Sequence, residues 1–93
     1  MITFAEIFLP MRYIKDIPHQ QFKISIYQWN NKYIIKIEAG MFEQTYKIDE
    51  YEITNLEEIE KCMDAPFLTK VSARFESMQG DFDETLRRND VVF

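Results

Sequence analysis

Phe22-Lys23-Ile24-Ser25-Ile26-Tyr27-Gln28-Trp29, then Asn30-Asn31, then Lys32-Tyr33-Ile34-Ile35-Lys36-Ile37-Glu38-Ala39, then Gly40 and Phe42-Glu43-Gln44-Thr45-Tyr46-Lys47-Ile48 is the run that decides the fold. Three segments of alternating apolar and polar residues are separated by residues that tolerate left-handed backbone, so the run predicts a three-stranded antiparallel meander. A two-residue Asn30-Asn31 turn fixes the first register: Ile26 faces Ile35, Ile24 faces Ile37 and Phe22 faces Ala39 on one side. Lys23 faces Glu38, Tyr27 faces Ile34 and Trp29 faces Lys32 on the other. An opposite-charge pair and an aromatic/β-branched pair falling together supports that register. A two-residue loop at Ala39-Gly40 or Gly40-Met41 would put Phe42, Gln44, Tyr46 and Ile48 on the core side; a three-residue loop would reverse the faces.

Upstream, Thr3-Phe4-Ala5-Glu6 has capping-box spacing, and Phe4, Ile7 and Phe8 share a helical face until Pro10. The competing reading is a strand around Ile7-Phe8-Leu9, so a short N-terminal helix or strand is expected. Met11 to Lys15 alternates weakly and offers a fourth, edge strand. Downstream, Thr54-Asn55-Leu56-Glu57 matches a second capping box, with Leu56, Ile59 and Met63 on one face of the helix it opens. Ala65-Pro66 interrupts that helix. A second helix carries Phe67, Leu68, Val71, Phe75 and Met78, and the stripe continues through Phe82 to Leu86. It either crosses Gly80 or restarts near Asp81, where Asp81, Asp83 and Glu84 would complement a helix N-terminus. The expected fold is α+β: a three- or four-stranded antiparallel meander over about 22–49, packed on helices over about 55–64 and 66–88. The apolar end, Asp90-Val91-Val92-Phe93, is expected to dock, as an edge strand for instance.

The length of 93 residues, with 46% hydrophobic and 15% aromatic residues, suits one domain over 1–93 with one core and argues against disorder. The net charge of −5 is unevenly spread: residues 1–48 carry +2 and residues 49–93 carry −7. An acidic helical half disfavours nucleic acid and anionic lipid. One cysteine excludes an internal disulfide, and with no signal peptide and no run of membrane-spanning length the chain reads as cytoplasmic, with no membrane partner.

Catalytic and metal signatures are thin. His19 is the only histidine, and Cys62 is a lone cysteine whose usual place is a small buried hydrophobe. Ser25, Ser72 and Ser77 sit in no nucleophile-elbow pattern, and two glycines cannot build a phosphate loop. Asp81-Phe82-Asp83 has the opening spacing of a calcium loop, but Leu86 and Val92 stand where glycine and glutamate are needed. No cofactor or metal is expected. The acidic residues Asp49, Glu50, Glu52, Glu57, Glu58 and Glu60 read as a solvated connector and a first helical turn.

The order helix, three strands, helix resembles that of the double-stranded RNA-binding domain over residues 3–80. That resemblance implies a lysine cluster at the start of the last helix, where this chain has Ala65-Pro66-Phe67-Leu68-Thr69-Lys70 with a single lysine. The resemblance stops at element order, and no nucleic-acid partner is expected.

With the helices on the Ile24/Ile26/Ile35/Ile37 side, Tyr27, Trp29 and Ile34 gather on the opposite face, rimmed by Lys23, Lys32, Lys36 and Thr45. Aromatics with a basic rim suit a protein interface. The competing reading has Phe4, Ile7, Phe8 and Tyr13 packing over this face. The expected function is a non-enzymatic, small intracellular interaction or regulatory module that self-associates, contacting a protein partner or forming a homodimer. Its surface would be Tyr27, Trp29, Lys32, Ile34 and Lys36, or an open strand edge. One rival is a ligand-binding or enzymatic pocket between sheet and helices, lined by Tyr33, Tyr46, Phe67 and Phe75 with Gln44 as polar anchor. Another is an acidic neutraliser of a basic partner.

Overall fold

A computed structural model of the chain describes residues 11–91. Four strands, β1 (Arg12–Ile17), β2 (Lys23–Trp29), β3 (Lys32–Ala39) and β4 (Phe42–Asp49), form one antiparallel sheet in the order β1-β2-β3-β4. A 3-10 turn (Glu50–Glu52) leads to a short helix α1 (Leu56–Cys62) and a long helix α2 (Ala65–Arg88). The architecture is the expected α+β meander with C-terminal helices, and β1 supplies the fourth, edge strand. The N-terminal helix or strand, Phe4, Ile7 and Phe8, and the docking of Val92 and Phe93 lie outside the described residues.

The first hairpin follows from its turn. Asn30 and Asn31 both take positive φ (54° and 61°), as a two-residue turn matched to strand twist requires. The pairs Lys23–Glu38, Ile24–Ile37, Ile26–Ile35, Tyr27–Ile34 and Trp29–Lys32 then form as the spacing predicts. In the second hairpin Ala39 pairs with Phe42, so Gly40-Met41 is the two-residue loop, and only Gly40 (φ 58°) is left-handed. This settles the faces of β4: Phe42, Gln44, Tyr46 and Ile48 point toward the helices.

β1 is less regular. Tyr13 pairs with Tyr27 and Lys15 with Ile26, so a bulge falls at Ile14. Two β1 residues then oppose one β2 residue. Ile14 packs on the core and Lys15 reaches Glu60 of α1 at 2.7 Å. That carboxylate raises the Lys15 pKa, through its hydrogen bond first and its charge second.

The core lies between one sheet face and α2. Phe22, Ile24, Ile26, Ile35 and Ile37 from the sheet meet Ile59 of α1 and Leu68, Val71 and Phe75 of α2. The helix ends depart from expectation. Asn55, not Thr54, caps α1: its Oδ1 accepts from the Glu58 N–H, while Glu58 Oε2 accepts from the Thr54 N–H. Asparagine caps at least as well as threonine, and the shift by one puts Glu58 rather than Glu57 at the reciprocal position. Asp64 caps α2 through the Phe67 N–H, with Pro66 in the first turn, where a missing N–H costs nothing.

α2 runs unbroken through Gly80. Asp81, Asp83 and Glu84 therefore lie in the last third of a helix and do not complement an N-terminus. The stripe is continuous across the glycine, and packing outweighs one poor helix former. The helix ends in a paired closure: Asp90 N–H donates to Arg87 O and Val91 N–H to Leu86 O, with Asp90 left-handed at φ 59°.

The glycines make opposite predictions. Gly40→Ala should cost about 1–2 kcal/mol, because a Cβ meets nothing within 4 Å and only the left-handed backbone objects. Gly80→Ala, equally open and mid-helix, should stabilise by roughly 1 kcal/mol. Urea unfolding of both variants checks the signs.

Candidate functional site

The face of the sheet opposite the core carries Tyr13 from β1, Ser25, Tyr27 and Trp29 from β2, Lys32, Ile34 and Lys36 from β3, and Glu43, Thr45 and Lys47 from β4, as the pairing register dictates. Tyr13 and Tyr27 meet edge to face with ring centroids 5.7 Å apart. Lys36 Nζ sits 5.2 Å from the Tyr27 centroid, a cation–π distance. At the hairpin end Trp29 is 46% exposed beside Lys32, whose Nζ lies 3.3 Å from Asp49 Oδ1. Tyr13 is 55% exposed. Partial desolvation, then the Asp16 carboxylate, raises its phenol above the ordinary tyrosine value.

Two residues of this face are interior rather than contact surface. Ile34 is only 2% exposed, so it does not belong to the surface proposed with Tyr27, Trp29, Lys32 and Lys36. It occupies an inner strand between Tyr27 and Lys47 in register. Ser25 is equally buried, and its hydroxyl donates to Asp16 Oδ1 at 3.0 Å. In exchange the structure adds Tyr13 to the surface. Its weak alternation in residues 11–15 hinted at a strand, but the bulge that aligns it with Tyr27 has no local sequence signature.

The rival pocket residues form a seam. Tyr46 OH donates to Gln44 Oε1 at 2.7 Å, and Gln44 Nε2 donates to the Val71 carbonyl at 3.0 Å. Tyr46 packs edge to face on Phe67 at 5.4 Å, Phe75 lies 5.6 Å from Phe22, and Tyr33 rests against the same core. Gln44 therefore spends both ends of its amide tying β4 to α2 instead of anchoring a ligand. A separate open groove of about 610 Å³ runs beside α2 and includes His19, Gln21, Leu68, Ser72 and Glu76. His19 Nδ1 accepts from the Gln21 and Phe22 N–H groups at 3.1 and 3.2 Å, and its ring stacks on Phe22, so it caps the β1–β2 loop. A histidine accepting at Nδ1 carries its proton on Nε2. Cys62 is exposed at the end of α1, contrary to the expectation for a lone cysteine.

Among the described residues no group of three or more His, Cys, Asp or Glu could hold a metal, and no helix is long and apolar enough to cross a membrane. No protein-family model matches the chain, and no curated protein or solved structure matches it either.

Proposed function

We propose that the protein is a non-enzymatic intracellular interaction or regulatory module that self-associates and presents one sheet face to a protein partner. The observation that carries this reading is the half-exposed aromatic group Tyr13 and Trp29 around Tyr27, with Lys32 and Lys36 beside it, on the sheet face opposite the core. Exposed large aromatics with basic neighbours are enriched in binding surfaces, where the ring supplies buried area at low entropic cost. The basic rim suits a partner with acidic groups.

The test is affinity capture from a native lysate with the wild type and a Tyr13→Ala/Trp29→Ala variant that keeps the wild-type melting temperature within a few degrees. Both substituted residues are about half exposed, which lets the variant fold. A partner retained by the wild type and released by the variant is the expected result. Equal capture by both would remove this face as the binding site.

A further inference from the structure

The sheet has two outer strands, and they differ in how well they are protected. β1 is six residues long and bulged, with Lys15 tied to Glu60; short length and a bulge are the usual ways to blunt an edge. β4 is eight residues long, pairs with β3 without a register break, holds no proline, and is an outer strand among the described residues. Ala39–Phe42 closes a two-residue turn, which makes it a hydrogen-bonded pair, so Phe42, Gln44, Tyr46 and Ile48 bond to β3. The Glu50 N–H donating to Asn31 O at 3.0 Å continues that phase. Glu43, Thr45 and Lys47 consequently aim their N–H and C=O groups at the open side.

We propose, resting on the self-association reading above, that a second copy of this chain pairs antiparallel along β4 about a two-fold axis at Thr45. Charge selects this register. Centred on Thr45, Glu43 of each copy faces Lys47 of the other, twice by symmetry, with Thr45 facing its own mate. Centred on Tyr46, Glu43 would face Asp49; centred on Gln44, Glu43 would face Thr45 and Lys47 would face Met41. Only the first arrangement pairs both charges, and opposite charges and paired threonines are favourable across antiparallel strands.

Within one copy the same charges are poorly served. Glu43 lies directly opposite Glu38, and Lys47 lies opposite Ile34. Among the described residues neither Glu43 nor Lys47 joins an ion pair; Glu43 only accepts from the Thr45 hydroxyl at 2.8 Å. A second copy answers both. The two-fold also brings Met41, which is 95% exposed, beside residues 49–51 of the other copy, where Tyr51 is likewise exposed. The product is a continuous eight-stranded sheet, joined by main-chain bonds for affinity and by the two Glu–Lys pairs for register.

The test is sedimentation equilibrium at low salt on the wild type, Glu43→Lys, Lys47→Glu and the double swap, with amide exchange followed by NMR. Each single reversal turns two attractions into two repulsions and should raise the dimer Kd about tenfold or more, and the double swap should restore it. Glu43→Lys cannot act merely by unfolding the chain, because it places a lysine opposite Glu38 and should leave the monomer at least as stable. The Glu43, Thr45 and Lys47 amides should exchange freely when dilute and become protected on association. A wild-type dimer indifferent to the single reversals, or not restored by the swap, overturns the β4 interface and leaves self-association standing. A wild type that stays monomeric at every concentration overturns both.

Discussion

Ile34→Ala is expected to destabilise the protein by about 2–5 kcal/mol, as much as truncating a residue of the main core. Its side chain is on the face opposite that core, where a truncation would ordinarily be mild, yet it is as buried as Ile24 or Ile37. Removing three carbons from a buried site loses their transfer energy and leaves a cavity that an inner strand held on both sides cannot close. The companion change, Trp29→Ala, removes a larger side chain but should cost under ~1 kcal/mol, because nearly half of it already faces water. Urea unfolding of the two variants decides the matter. A near-neutral Ile34→Ala would return Ile34 to the contact surface. A Trp29→Ala loss as large as that of Ile34→Ala would show the indole to be a packing residue and would remove the main reason for reading this face as an interaction site.

The second large effect is on α2. Phe75→Ala should cost about 3–5 kcal/mol, whereas Phe82→Ala, two turns further along the same stripe, should stay within about 1 kcal/mol. A 24-residue helix is about 36 Å long, and an eight-residue strand is about 27 Å. The buried residues of α2, Leu68, Val71 and Phe75, all lie in its first half. Phe82 touches Phe42 edge to face at 6.3 Å but keeps half its surface in water. Thermal unfolding should therefore show a steep gradient down the helix. Equal losses at Phe75 and Phe82 would mean that the second half of α2 is anchored as firmly as the first.

The spread of these effects marks where the sequence was readable. The first hairpin could be paired residue by residue because Asn30-Asn31 is a two-residue turn and the strand period is two, so local turn chemistry propagates into register; the loop around Gly40 left three pairings open, and the Ala39–Phe42 pair chose among them. The caps were readable in kind but not in position: Thr54 and Asn55 are both competent, and only backbone geometry chose Asn55. Gly80 was ambiguous for the same reason, since helix propensity alone nearly balances and the contact of Phe82 with Phe42 lies outside any local window. Of the candidate surface, Tyr27, Trp29, Lys32 and Lys36 stand together as the alternation implies, while Ile34 and Tyr13 changed places. Gln44 stands out in the sequence as the polar residue among aromatics, but its partners, Tyr46 two residues away and the Val71 carbonyl 27 residues away, come from different length scales.

What the amino-acid sequence determined by itself is everything governed by neighbours along the chain. That covers the meander, the Asn30-Asn31 turn, the register of β2 on β3, the existence of the two helices and the face of each that is apolar. These follow from backbone preferences and periodicity, which act within a few residues. Tertiary structure alone decided the bulge that sets Tyr13 on Tyr27, the burial of Ile34 and the engagement of Gln44 with α2. It also decided that β4 pairs with β3 without a register break and is an outer strand among the described residues, while β1 is bulged. Each of these depends on contacts between residues distant in sequence, whose free energy is set by how whole elements pack against one another.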